Sequence, residues 1–167
     1  MRSRLASLAG LGAPVCFVGA WAVAGAELPG YSPVHEHISQ LARVGVSTRP
    51  LMTAGLIGFG LLLPVFASTF TGATRLAITA AGLATLVVAA APLGASFGDS
   101  AHGVAASLAY VAMVAAPCLA GSRWVALTSG LLLMGSLHGT YDGLLQRAGL
   151  GVVDCWFAVR AVRQLRS

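Results

Sequence analysis

The sequence predicts an all-α integral membrane bundle of about six transmembrane helices, with a short interfacial helix on the outer side, in one domain over 1–167. Three observations predict it. Of the 167 residues 57% are hydrophobic and only 9% charged, with a mean hydropathy of +0.83. A soluble domain carries roughly 25% charged residues, so most of this exterior has to face lipid. Apolar runs near the ~20 residues needed to cross a ~30 Å hydrocarbon core recur along the chain, separated by Pro, Gly and Arg. Finally, all ten basic residues are arginine, and they fall unevenly on the two ends of the predicted spans.

A short basic start leads into the first run, 5–28. Its length exceeds the roughly 7–15 apolar residues of a signal peptide, which makes it a retained span. Pro29-Gly30 ends it. The longest polar interruption follows, from Tyr31 to Arg43. Ser32 suits an N-cap with Pro33 at the first helical position. Val34, Ile38, Leu41 and Gly45 recur at helical spacing, so 32–45 reads as an amphipathic segment lying in the interface. The remaining spans are 51–70, 76–97, 103–120, 124–141 and 149–163, the last being the shortest. Polar breaks at 71–75, 98–102, 121–123 and 142–149 separate them. Gly55, Gly58, Ala80, Gly82, Ala105 and Ala106 are small residues that let helices approach closely. Cys16, Cys118 and Cys155 lie in apolar runs without metal spacing and read as small core residues. Trp21 and Trp124 read as interface anchors.

Placing the N-terminus in the cytoplasm puts Arg2, Arg4, Arg75, Arg123, Arg160, Arg163 and Arg166 inside, against Arg43, Arg49 and Arg147 outside. That distribution obeys the positive-inside rule and puts both termini in the cytoplasm of a cell-membrane protein. Scattered arginines between apolar spans are a topology signal and give no reason to expect nucleic acid; the expected partners are membrane lipids. The same orientation gathers Glu27, His35, Glu36, His37, Asp99, His102, His138 and Asp142 at the outer rim. Asp154 alone lies deeper, where an intramembrane acid needs a partner such as Ser136 or Thr140.

The rim residues carry the candidate chemistry. Asp99 and His102 are three apart, and His138 and Asp142 four apart, so each pair shares a helix face. His102, His138 and Asp142, joined by Asp99 or His35, would supply a zinc ligand set. Zinc would bring its water toward a pKa of about 7, giving a hydroxide able to attack a lipid ester or amide. Asp99, His102, His138 and Asp142 are therefore the catalytic candidates, and zinc the possible cofactor. His35 and His37 act together only if their segment is irregular. With Glu36, Arg43 and Arg147 they are candidates to bind a ligand. The leading expectation is a multi-pass protein with a His/Asp-lined outer pocket for a lipid-like or small polar ligand. The alternatives are a metal-dependent membrane hydrolase and a structural or partner-binding subunit with no ligand. In that last case the same groups tie helix ends together, each contact contributing around 0.6–2 kcal/mol.

Tyr31 with Ile38-Ser39-Gln40-Leu41, Asp99-Ser100-Ala101-His102, and Gly143-Leu144-Leu145-Gln146-Arg147 followed by Trp156 resemble the domain-of-unknown-function 998 family of small prokaryotic membrane proteins. The family pattern often has Asp where this chain has Gln40. The resemblance implies a helical bundle over nearly the whole chain and implies no activity. A remoter likeness is to membrane hydrolases such as the alkaline ceramidases and adiponectin-receptor-like proteins, which hold zinc with Ser, Asp and His on seven helices. Here Asp142 stands in place of a second His and one helix is missing, so the likeness is analogy only.

Overall fold

A computed structural model describes residues 2–96, 98–137 and 139–166, with side chains from residue 4 onward. Six α-helices follow one another: α1 (Arg2–Glu27), α2 (Arg49–Ala67), α3 (Gly72–Ala90), α4 (Gly98–Leu119), α5 (Arg123–Gly135) and α6 (Asp142–Arg166). Among the described residues there is no β-strand. Short turns make neighbours antiparallel. Each helix packs on the next, and α6 returns to α1 to close a ring.

The ring is filled by side chains. Phe59, Phe66 and Phe157 are fully buried. Phe66 meets Phe157 edge-on with ring centroids 6.0 Å apart, and Phe17 meets Phe59 at 5.2 Å. Large apolar residues also cover the outside, Leu131 being 74% exposed and Leu76 71%. An apolar exterior around an apolar core is the arrangement a bilayer demands. Glycine sets the spacing of α2 and α3. A Cβ on Gly82 would stand 2.6 Å from Pro64 Cδ and 2.8 Å from the Gly60 carbonyl, so nothing larger lets those helices meet.

Long-range contacts sort the two ends. Ser7 Oγ donates to Gln164 Oε1 at 3.3 Å, Trp156 Nε1 to Ser122 Oγ at 3.0 Å, and Arg160 lies 5.7 Å over the Phe70 ring. These gather the start of α1, the α2–α3 turn, the α4–α5 turn and the end of α6. The chain between α1 and α2 lies across the opposite end.

Among the described residues four helices are long and apolar enough to cross a membrane: Arg4–Glu27, Arg49–Ala67, Gly72–Ala90 and Gly98–Leu119. The last two predicted spans differ from what is seen. Helix α5 stops at Gly135, and its 13 residues reach about 20 Å, short of a ~30 Å core. The 142–149 stretch, expected as a connection, is the first two turns of the 25-residue α6, which carries charge along its length. Similarly 98–102, expected as a break, opens α4. Cys118 and Cys155, expected in the core, are exposed on the outer surface, while Cys16 is half-buried.

The expected interfacial helix over 32–45 is replaced by turns and one 3₁₀ segment, Ile38–Ala42. Its apolar spacing still works, since Ile38, Leu41 and Ala42 are buried. The backbone goes elsewhere because α6 offers better partners. The first N–H groups of a helix have no acceptor within it, and the Leu144 N–H takes the Val34 carbonyl at 3.0 Å. Gln146 Oε1 accepts the Ile38 N–H at 2.7 Å. Tertiary bonds to both sides of the segment displace the helical ladder.

Candidate functional site at the lid end

Residues 31–48 form a lid that hydrogen-bonds to α4, to α6 and to the α3–α4 and α5–α6 connections. Arg147, 9% exposed, is its anchor. Nη1 points at three carbonyls, Pro33 at 2.8 Å, Gly143 at 2.9 Å and Glu36 at 3.0 Å. Nη2 donates to the Tyr31 hydroxyl. The guanidinium carbon lies 5.3 Å from the Trp21 ring centroid and 5.4 Å from that of Tyr31. Carbonyl oxygens and two π-faces thus surround the charge. Trp21, expected as an interface anchor, is half-buried as part of this cage. Burial pushes the Tyr31 phenol above its ordinary value of 10, against the opposing pull of Arg147, and keeps it a neutral hydroxyl. It donates in turn to the lid carbonyls of Glu36 or His37. Gly143 makes the close seat possible, for a Cβ there would lie 2.7 Å from the Pro33 carbonyl and closer still to that of Glu36.

His35, His37 and His102 are fasteners. A carbonyl can only accept, so His35 Nδ1–H donates to the Thr140 carbonyl at 2.6 Å and His37 Nε2–H to that of Ser136 at 3.0 Å. The irregular backbone between them lets two residues of spacing two reach the same α5–α6 turn. His102 is buried. Its Nδ1–H donates to the Ala91 carbonyl at 2.8 Å, and Nε2 pairs with Ser39 Oγ at 2.9 Å.

The carboxylates do parallel local work. Asp99 Oδ1 accepts the Gly94 N–H and Asp142 Oδ1 the Gly139 N–H, each at 2.7 Å. Each holds the turn before its helix and places an acid in the first turn, where the helix dipole favours it. Glu36 Oε2 accepts the Ser32 N–H at 2.7 Å, closing the first turn of the lid.

Of the expected zinc set, His102, Asp142, Asp99 and His35 each hold other partners. Among the described residues no group of three or more His, Cys, Asp or Glu is placed to hold a metal. His102 spends both ring nitrogens on Ala91 and Ser39, and the catalytic candidates Asp99 and Asp142 serve separate turns. His138 lies outside the described residues. Asp154 also departs from expectation: it is buried, and neither carboxylate oxygen has a partner among the described residues, while Ser136 Oγ donates to the Leu133 carbonyl.

Two spaces adjoin the lid. One is an open recess of about 270 Å³ between the Pro29-Gly30 turn and the 3₁₀ segment, with Tyr31, Glu36, Gln40 and Arg43 around it. The other is a cavity of about 50 Å³ beneath the lid, partly open, where Ser39, Thr85, Tyr110 and Gln146 interrupt apolar walls that include Phe17 and Met113. Tyr110 and Gln146 were not expected as site residues. Gln146 Nε2 donates to the Tyr110 hydroxyl at 2.5 Å while its Oε1 holds Ile38. A lone tyrosine in the apolar run of α4 and a glutamine beside Arg147 were the available signals.

Four helices able to cross a bilayer, an apolar exterior and a polar lid at one end define a helical membrane protein. The chain belongs to the family described as "Protein of unknown function (DUF998)", which matches over residues 11–163. That stretch contains the lid, its α6 anchor and every motif quoted above. No curated protein and no solved structure matches the chain.

Proposed function

We propose that this chain is a multi-pass protein of the cell membrane, with its termini cytoplasmic, that binds a small zwitterionic group at its outer rim. One observation carries the reading. The recess at the lid is lined by side chains of opposite charge, Glu36 and Arg43, on a backbone held by Arg147, His35, His37 and Gln146. A fixed frame lowers the cost of ordering a site, and a pair of opposite charges selects a ligand with a cation and an anion at matching separation. Glu36 uses one oxygen on Ser32 and keeps the other for an ammonium; the exposed Arg43 suits a phosphate or carboxylate. A lipid headgroup and a free solute share this chemistry.

The test is ligand-induced thermal stabilisation of the full chain. Soluble glycerophosphoethanolamine is added in detergent, and phosphatidylethanolamine is compared with phosphatidylglycerol in nanodiscs. Stabilisation by the soluble compound points to a solute, and stabilisation by the lipid alone to a headgroup. Either has to be lost in both Glu36→Gln, which keeps an acceptor for Ser32, and Arg43→Gln. Stabilisation by neither compound, or a response unchanged in both variants, refutes the reading.

A further inference from the structure

We propose that the outward groove between α4 and α5 is a lipid site, taking one acyl chain of an anionic phospholipid whose phosphate sits at Arg123. It is separate from the recess at the lid. These two helices make the sparsest contact of any neighbouring pair in the ring, and between them runs an open groove of about 720 Å³. Val111 and Val114 on α4 face Leu127 and Met134 on α5 across it. Such a furrow is too apolar to hold water, and left empty it would lose the dispersion contacts of both walls. Inside a bilayer an acyl chain is the available filler. The groove follows α5, whose 13 residues cover about 20 Å, longer than the ~15 Å of one leaflet.

Charge selects the headgroup. Arg123 lines the groove and is exposed at the N-terminus of α5. No acid stands at that end of the bundle. Of the five, Glu27, Glu36, Asp99 and Asp142 belong to the lid end, and Asp154 is buried within α6. Among the described residues the guanidinium therefore has no side-chain carboxylate to pair with, and a lipid phosphate offers it bidentate acceptors. Two local features agree. Ser122 Oγ accepts from Trp156 instead of capping α5, leaving first-turn N–H groups toward the same anion. Trp124, 82% exposed, stands beside Arg123, as aromatic residues do at headgroup level.

The experiment is native mass spectrometry of the full chain in mild detergent, titrated with phosphatidylglycerol and phosphatidylcholine of identical acyl chains. Two variants report on the two halves of the site. Arg123→Gln removes the charge. Gly130→Leu fills the groove, and it is tolerable because a Cβ there meets only Val114 Cγ1 at an ordinary 3.6 Å. The wild type should prefer phosphatidylglycerol by about five-fold or more, the worth of one arginine near a membrane surface. R123Q should lose that preference, and G130L should lose both lipids while its melting temperature stays near wild type. Equal binding of the two lipids by the wild type, or phosphatidylglycerol retained by G130L, overturns the proposal. So does a wild-type dimer that G130L dissolves, which would make a second copy the occupant.

Discussion

Replacing Arg147 by methionine is the sharpest test of how this bundle is closed. Methionine preserves much of the apolar stem and removes every donor. Nη1 has two hydrogens for the carbonyls of Pro33, Glu36 and Gly143, and Nη2 gives one to Tyr31. Three charge-assisted bonds at the low end of their range come to about 4–5 kcal/mol. Against that, the buried Nε has no partner, and losing it recovers about 1–3 kcal/mol. The expected net loss for Arg147→Met is about 1–4 kcal/mol. Arg147→Lys keeps the charge, but one ammonium cannot serve the carbonyls and Tyr31 together, so it should lose about 1–2 kcal/mol. Reversible denaturation in mixed micelles measures both, and hydrogen exchange locates the effect. The Ile38, Val44 and Leu144 amides, which bond the lid to its neighbours, should lose protection while the amide of Phe59 in mid-α2 keeps it. A loss below about 0.5 kcal/mol, within the range of ordinary surface substitutions, would refute the clasp, as would lid amides protected as in wild type.

Further tests address the neighbouring parts. Gly143→Ala should push the lid off α6 and cost about 2 kcal/mol or more, since the added Cβ meets backbone carbonyls that have no flexible end to move; hydrogen exchange of residues 33–37 checks it. His102→Leu should cost about 1–3 kcal/mol by stranding the Ala91 carbonyl and Ser39. Stoichiometric zinc in the purified wild type that disappears in this variant would contradict the fastening role. Asp154→Leu should leave stability unchanged or raise it by about 1–2 kcal/mol, because a buried carboxyl with both oxygens unpartnered contributes no bond to lose; a measured loss above about 2 kcal/mol would reveal a partner. Reporter fusions at the 71–72 turn should report the cytoplasm, the side with the larger arginine share, and an external signal would invert the proposed recess and groove together.

How much of the site was legible depended on the range of each bond. Asp99 and Asp142 act on residues three to five positions away, yet the sequence placed both in polar breaks, and the structure puts them in the first turns of α4 and α6. The partners of His35, His37 and His102 lie 105, 99 and 63 residues away in their longest bonds, and no local pattern pairs them. A histidine next to an acid in sequence invites a metal or catalytic reading. Here the nearby carbonyls of turns, beside helices that stop at Ala90 and Gly135, bond the rings of His35, His37 and His102. The interfacial segment failed as a helix for a related reason. Its buried spacing was right, but α6 supplied hydrogen bonds that compete with an internal ladder.

The sequence by itself determined that this chain is a helical membrane protein with a polar stretch between its first two long apolar runs. Nine charged residues in every hundred cannot cover a soluble surface, and that arithmetic is independent of folding. Tertiary structure alone decided that the polar stretch becomes a lid, that Arg147 is caged by carbonyls and aromatic faces, and that α4 and α5 pack loosely enough to leave a groove between them. Those outcomes follow from which helix ends meet when the ring closes. Inside an apolar medium each polar group must find its acceptor there, because water is not at hand.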